Sequence, residues 1–381
     1  MVSIEGANRA RIGINAQLLS SQQGYRQAGI HRYISNLISN LNSTIKYAIT
    51  VYTNNPHDLS LGSGMKVAST RWPTERRLVR IMWEQLAWPW LTRSSGMNLI
   101  HSMAFVLPIA RSCPSIVTVY DLSFELYPHG FPPLQRQYLS GQTRRSCHLA
   151  RRVVTISEST RDDIVRIYGV SNDKIDIVWP GVSKAFRLLP QEEVDAFRHR
   201  QELPAHYILH VGTIQPRKNL SILLEALVQL DREDIQLIIV GGKGWDFEEI
   251  YSLVGQYGIE EQVRFAGYVP DADLPFWYNA ADVLVFPSVY EGFGLPVLEA
   301  MACGTPVIAA NTSAIPEVVG QAARLFDAGD LATLADHIAN VLDDPQLAVT
   351  MKDAGRDQAS NFTWQRAGQE MDAVYGRALS P

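Results

Sequence analysis

Short runs of apolar, β-branched residues alternate with helix-like segments along the chain, and the alternation runs through twice. In the first half, residues 11–15, 47–52, 99–101, 116–120 and 153–156 read as strands. Amphipathic stretches such as 31–41 and 133–150 lie between them. In the second half the strand candidates are 207–211, 236–240, 263–265, 283–286, 306–309 and 323–326. Strands apolar along their whole length are covered on both faces, which in an alternating pattern means a parallel sheet between helical layers. The expected fold class is therefore α/β, with two Rossmann-like, doubly wound domains in tandem. Turn signals without periodicity at 179–190 place the linker there. The expected domains are 1–185 and 186–362, followed by a last helix, 363–381, that packs back toward the first domain. Asn361 or Thr363 is its expected cap.

Charge divides at the same place. Residues 1–185 carry 21 Lys and Arg against 11 Asp and Glu, whereas residues 186–381 carry 13 against 28. Such a basic half is suited to an anionic partner, whether nucleic acid, lipid or a phosphorylated substrate. No polybasic tail, zinc-finger spacing or RNA-binding aromatic pattern is present, so nucleic acid is set aside. Cys113, Cys147 and Cys303 lie far apart, with neither metal-ligand spacing nor a disulfide framework. No uninterrupted apolar run reaches the ~18 residues of a membrane span. The first eleven residues lack the sections of a signal peptide. A cytoplasmic protein is expected.

The segment 287–306 carries the most chemistry. A buried strand ends at Phe286, and a loop containing Gly292, Phe293 and Gly294 leads through Leu295 to Pro296, a residue suited to the first turn of a helix. A helix N-terminus at the carboxyl end of a parallel strand presents free N–H groups and a positive dipole end, an anion site that suits a diphosphate. Glu291 precedes the loop and Glu299 lies about one turn into the helix. Glu299 can accept from a ribose diol, or simply stabilise the first turn. Glu291 can meet hydroxyls beyond the phosphate, or remain a solvated acid.

With seven residues between Glu291 and Glu299, the run Glu-Gly-Phe-Gly-Leu-Pro-Val-Leu-Glu-Ala-Met-Ala-Cys-Gly-Thr-Pro-Val resembles the signature of retaining glycosyltransferases of family 4. The resemblance implies the GT-B fold, two Rossmann-like domains facing each other across a cleft, and extends over almost the whole chain. In the run from His210 to Leu220, a strand is followed by a turn at Gly212 and Thr213, then by two adjacent cations, Arg217 and Lys218. Both can neutralise a diphosphate. The family places a lysine at the Lys218 position on the donor phosphates. It often has an arginine where this chain has Thr213, so Arg217 is expected to supply the second charge. Backbone around Tyr268 and Val269 corresponds to the family's contact with the nucleotide base. Asp271 and Asp273 match an Asp-x-Asp metal motif only superficially and read better as helix caps. The resemblance implies no bound metal.

In the first half, Gly29 resembles part of the family's glycine loop over the donor diphosphate, although the residue before it is Ala28. Relatives carry His-Asp where this chain has Tyr120-Asp121. Asp121 is the candidate for orienting the acceptor hydroxyl, with Tyr120 and His101 as further acceptor-side candidates. His101 also fits a structural role. The run from Thr155 to Asp163 reads equally as ligand contact or helix cap.

The implied reaction moves a sugar from a nucleotide-sugar donor to a glycan or lipid-linked acceptor, and needs no enzyme nucleophile. Among donors, the motif forms look most like those of bacterial GDP-mannose-dependent mannosyltransferases, with UDP-glucose and other donors open. A non-catalytic sugar-nucleotide binder is the non-enzyme alternative. Arg136, Arg144, Arg145, Arg151 and Arg152 are expected to cluster against a lipid diphosphate or an anionic membrane. Residues 76–90, with Trp83, Trp88 and Trp90, read either as an interfacial segment or as a core helix.

Overall fold

A computed structural model describes residues 9–19, 29–41, 46–56, 59, 62 and 64–380. The chain divides into two units, Met1–Gly181 together with Trp364–Pro381, and Val182–Thr363. Each contains one parallel sheet.

The described residues of the first unit form seven strands: β1 (Ala10–Asn15), β2 (Tyr47–Tyr52), β3 (Lys66–Ala68), β4 (Leu99–Ser102), β5 (Ser115–Val119), β6 (Arg152–Thr155) and β7 (Ile175–Ile177). Their order is β3-β2-β1-β4-β5-β6-β7, all parallel. Every residue of β4 and β5 is buried, the polar His101, Ser102, Ser115 and Thr118 included, as in central strands covered on both faces. The short edge strands β3 and β7 add to the five expected. β5 stops at Val119, so Tyr120 lies just beyond the strand end rather than in it.

Residues 77–94 form one continuous helix with a wide central turn. Arg77–Met82 and Trp88–Ser94 are α-helical, and Trp83–Ala87 is a π-helical turn. The extra residue in that turn fits Pro89, which has no N–H to return to the preceding turn. It also brings Trp83 and Trp88 to one side, where their rings stack 6.2 Å apart in the core beside Tyr52. These two tryptophans are therefore core residues.

The helix Trp364–Leu379 belongs to this first unit. Trp364 packs edge-on against Tyr33 with ring centroids 5.7 Å apart, and Tyr375 is fully buried.

In the second unit the strands are β8 (His206–Val211), β9 (Ile235–Val240), β10 (Val263–Gly267), β11 (Val283–Phe286), β12 (Val307–Ala310) and β13 (Arg324–Phe326). Their order is β10-β9-β8-β11-β12-β13. Leu223, Leu227, Leu237, Ile239, Val285, Ile308 and Ile338 lie in its main core cluster. The order reverses between β8 and β11, so the loops leaving their carboxyl ends part in opposite directions. That is where an open parallel sheet makes its crevice.

Candidate active site

The loops after β8 and β11 carry the charged centre. After β8, Pro216 starts a single 3-10 turn, Pro216–Lys218, and Asn219 ends it in the left-handed conformation. After β11, the chain passes Glu291 and enters the helix Leu295–Ala302 through Gly294. Gly294 has φ 109°, and a Cβ there would lie 2.6 Å from Ile315 Cδ1. Only glycine satisfies both demands.

Glu291 bridges two cations. Lys218 Nζ lies 2.6 Å from its Oε1, and Arg217 Nη1 lies 3.0 Å from its Oε2. The Lys218 and Glu291 side chains are 8% and 11% exposed, so this is a mostly desolvated triad. Burial alone would raise the Glu291 carboxyl. Arg217 and Lys218 outweigh it and hold the pKa at about 2. Glu291 is thus a carboxylate at neutral pH.

Each member is held by its neighbours. Lys218 Nζ stands 4.8 Å from the centroid of the Phe286 ring, and its chain passes over Gly212. Arg217 donates to the Tyr290 carbonyl oxygen, and the Val289 N–H donates to the Arg217 carbonyl at 3.0 Å. The Glu291 N–H donates to Ser313 Oγ at 2.8 Å. Below the triad, His210 is fully buried. Burial and the Lys218 charge hold it neutral, with a pKa near 3.

Glu299 lies one turn into the helix that Gly294 opens, and it is buried. The Tyr278 hydroxyl donates to its Oε2 at 3.0 Å. Phe293 is buried edge-on against Phe362, and Leu295 is half-buried at the helix start. Tyr268 is exposed and Val269 buried at the carboxyl end of β10. Gly212, Thr213, Arg217, Lys218, Glu291, Phe293, Gly294, Leu295 and Glu299 therefore collect around the carboxyl ends of β8 and β11. Tyr268 and Val269 stand two strands away, beyond β9.

Between them lies a loop that sequence reasoning missed, residues 241–244 after β9. A Cβ on Gly241 would lie 1.9 Å from the Gly212 carbonyl oxygen. The backbones after β8 and β9 can pack this closely only because no side chain intervenes. The Ile214 N–H donates to the Gly242 carbonyl at 3.0 Å, and the Gly244 N–H donates to the Ile214 carbonyl at 2.9 Å. The signal was available in the run Gly-Gly-Lys-Gly directly after a strand. Ser313 and Tyr278 were also missed, and nothing local marks them.

The first-unit candidates are placed differently. His101 is fully buried, with Nδ1 3.0 Å from the Tyr375 hydroxyl and Nε2 2.8 Å from Thr118 Oγ1. Burial holds it neutral, with a pKa near 3. Both ring nitrogens serve the core, which corrects the expectation that His101 faces an acceptor. Tyr120 is corrected likewise. It is buried between Tyr33 and Phe105, and its hydroxyl donates to the Met103 carbonyl at 2.6 Å. Asp121 is half-buried at the end of β5, and its Oδ1 accepts from the Ser123 N–H at 2.8 Å. Gly29 has φ 49° at the start of the helix Ile30–Ser39. Ala28 and the rest of the polar loop lie outside the described residues. Ser157 caps the helix Glu158–Asp163 by accepting from the Thr160 N–H, the capping alternative for that run. Asp273 occupies the N-cap position of the helix Leu274–Ala280, but its side chain makes no capping bond.

The five arginines do not form one patch. Arg136 lines an open cavity of about 540 Å³ with His129, Phe131 and Gln137. Arg152 stands past the far end of the 17-residue helix Pro133–Leu149, whose last residue lies about 20 Å along the axis from Arg136. There it is paired through two nitrogens with Asp176, each at 2.7 Å. Arg151 donates to the Ser380 carbonyl.

Comparison with known proteins adds the context. Residues 191–358 match the family model described as Glycosyl transferases group 1, and residues 28–186 match Glycosyltransferase Family 4. The chain is 34% identical over 290 residues to the O-antigen chain mannosyltransferase B of Escherichia coli, covering 75% of this chain and 76% of that one. It is 32% identical over 231 residues to a D-inositol 3-phosphate glycosyltransferase of Corynebacterium efficiens, covering 57% of this chain and 54% of the relative. In three dimensions it is similar to sucrose-phosphate synthase from Thermosynechococcus elongatus, with TM-score 0.79 and 24% identity over 97% of this chain and 98% of that one.

Proposed function

This chain belongs to glycosyltransferase family 4, and from that premise we propose that it transfers mannose from GDP-mannose to an acceptor hydroxyl with the anomeric configuration retained. The observation that carries the reading is the Arg217–Glu291–Lys218 triad at the carboxyl ends of β8 and β11. Two cations beside a helix N-terminus suit a diphosphate, and a permanently ionised carboxylate between them suits sugar hydroxyls. Mannose as the sugar is supported by the likeness to an O-antigen mannosyltransferase over three quarters of both chains.

In this reading Lys218, Arg217 and the N–H groups of Gly294 and Leu295 take up the charge of the departing nucleoside diphosphate, without a metal ion. Glu299 holds the ribose, and Tyr268 and Val269 lie along the base. Glu291 holds donor-sugar hydroxyls rather than attacking. The bond from the sugar's anomeric carbon to the phosphate oxygen breaks. A bond from that carbon to the acceptor oxygen forms on the same face, and the acceptor proton passes to the leaving phosphate. Asp121 orients the acceptor. The acceptor is a glycan or lipid-linked glycan, presented at the inner face of a membrane.

Calorimetric titration with GDP, UDP and ADP tests this, with and without magnesium. Metal-independent GDP binding that is lost in Glu299→Ala is expected, together with GDP-mannose turnover abolished by Lys218→Ala. A preference for UDP would replace mannose by the sugar of a UDP donor. Binding of no nucleotide would overturn the donor-site assignment.

A further inference from the structure

The first unit has its own reversal of strand order, between β1 and β4. The chain leaves β1 toward β2 on one side and leaves β4 toward β5 on the other. An open parallel sheet makes its ligand crevice at the carboxyl ends of such a pair. The two strands end in register at Asn15 and Ser102. Asn15 is buried, and its Nδ2 donates to Glu84 Oε1 at 3.1 Å. The helix over residues 77–94 thus delivers an acid to this crevice, from the π-helical turn Trp83–Ala87. Such wide turns recur at functional sites. The neighbours of Glu84 fix it in place. Trp83 is stacked in the core, and the Ile109 N–H donates to Gln85 Oε1 at 2.9 Å. Asn15 Oδ1 in turn accepts from the Gln17 N–H at 3.1 Å.

The other carboxylate oxygen, Oε2, makes no hydrogen bond among the described residues and is not sealed from solvent. Glu84 as a whole is half-buried. Even so, the surrounding protein raises its pKa to about 6, against the pull of Arg80 and of the Asn15 bond. A carboxyl that is both reachable and this desolvated stands in a recess, not on a convex surface. Besides Arg80, the titratable group facing it is Tyr138, whose hydroxyl is pushed up to about 12 by burial and then by the Glu84 charge. With its folded pKa above the unfolded one, Glu84 weakens the fold as the pH rises from 4.5 through 6, and does so throughout the neutral range. A glutamine would keep the Asn15 bond without that cost. The acid is therefore held for a ligand rather than for the fold.

We propose that Glu84 is a specificity residue for the acceptor, its Oε2 accepting a hydrogen bond from a glycan hydroxyl other than the one that reacts. A carboxylate accepts and cannot donate, so its ligand must bring an O–H or an N–H. The charge of Arg80, one turn back on the helix, disfavours an ammonium, and the carboxylate itself disfavours a phosphate. A neutral hydroxyl is what remains. Asp121, at the end of β5, lies two strands from Asn15, about 10 Å at ordinary strand spacing and roughly the length of a disaccharide. Asp121 can then orient the reacting hydroxyl while Glu84 reads the far end of the same disaccharide. The inference rests on the transferase reading above and gives its acceptor a neutral, hydroxyl-rich end.

The test is saturation-transfer NMR of the full chain with methyl glycosides and disaccharides of mannose, glucose, galactose and N-acetylglucosamine, and with mannose 6-phosphate. Wild type should bind at least one neutral disaccharide more tightly than the matching methyl glycoside and more tightly than the phosphate ester. Glu84→Gln should weaken that binding about tenfold, as expected for the loss of one hydrogen bond to a charged group. In transfer assays it should raise the acceptor KM by the same factor and leave the donor KM alone. The same variant should melt higher than wild type at pH 7.5, and the gain should close as the pH falls toward 4.5. Loss of sugar binding together with a lower Tm at pH 7.5 would make Glu84 a structural residue and overturn the inference. So would equal binding by the variant, no neutral sugar bound by wild type, or a preference for the phosphate ester. Glu84-dependent sugar binding by a protein that binds no nucleotide would leave this site standing and remove the transferase reading instead.

Discussion

Replacing Glu291 by Gln removes one charge and almost no volume. Burial works against the Glu291 carboxylate, and Arg217 and Lys218 still hold its pKa at about 2 against an ordinary 4.5. At about 1.4 kcal/mol per unit, that gap corresponds to roughly 3 kcal/mol as an upper bound. The folded pKa lies below the unfolded one, so the stabilisation is fully present above pH 4.5 and is lost as the pH falls from there toward 2. At pH 7.5, Glu291→Gln should lower the second unit's Tm by about 5–10 °C, as expected for a unit of its size. Differential scanning calorimetry reads this directly. The gap between wild type and variant should narrow as the pH drops below 4.5. The variant also leaves two cations without their carboxylate, so saturating GDP should raise its Tm by more than it raises that of the wild type. Transfer should nonetheless fall about a hundredfold, as the donor-sugar contact is lost. Equal melting at pH 7.5, or a gap independent of pH, would refute the claim that the triad is a coupled electrostatic unit.

Lys218→Ala should weaken GDP about thirtyfold, because it removes a charge-assisted contact and leaves Arg217 alone to pair Glu291; calorimetry reads the change. Gly294→Ala should destabilise the helix entrance by about 2 kcal/mol and raise the donor KM. Ile315→Ala should recover part of that loss, because Ile315 Cδ1 is the atom in the way. His101 and His210 are held neutral near pKa 3 against 6.5, so the melting temperatures of both units should fall as the pH drops below 6.5. His210→Phe should flatten that slope for the second unit alone.

Most of the sheet was legible because buried parallel strands are written as unbroken apolar runs. The edge strands β3 and β7 were not, since three residues carry no period. The loop from Glu291 to Glu299 was legible because an anion site at a helix start needs glycine, proline and acids at fixed spacing. The pairing of Glu291 with Lys218, 73 residues earlier, and with its neighbour Arg217 was not. Only the reversal of strand order between β8 and β11 brings them together. His101 and Tyr120 show the converse limit. A polar residue at a strand end is written the same way whether it faces a ligand or satisfies a hydroxyl in the core. The arginines of residues 136–152 looked like a patch in sequence, but most of a helix separates Arg136 from Arg151 and Arg152. The wide turn in residues 77–94 leaves no mark on an apolar pattern that also suits a straight helix.

The place of the helix Trp364–Leu379 sets an order of events during synthesis. Val182–Thr363 is continuous in the chain and can close its core as soon as it emerges. The unit begun first must wait, because the Tyr375 hydroxyl that meets His101 and the Trp364 ring that meets Tyr33 are made last. Until then the first sheet's His101 lacks the partner of its Nδ1, and Tyr33 lacks the Trp364 ring. The unit begun first is thus the last whose packing can be completed.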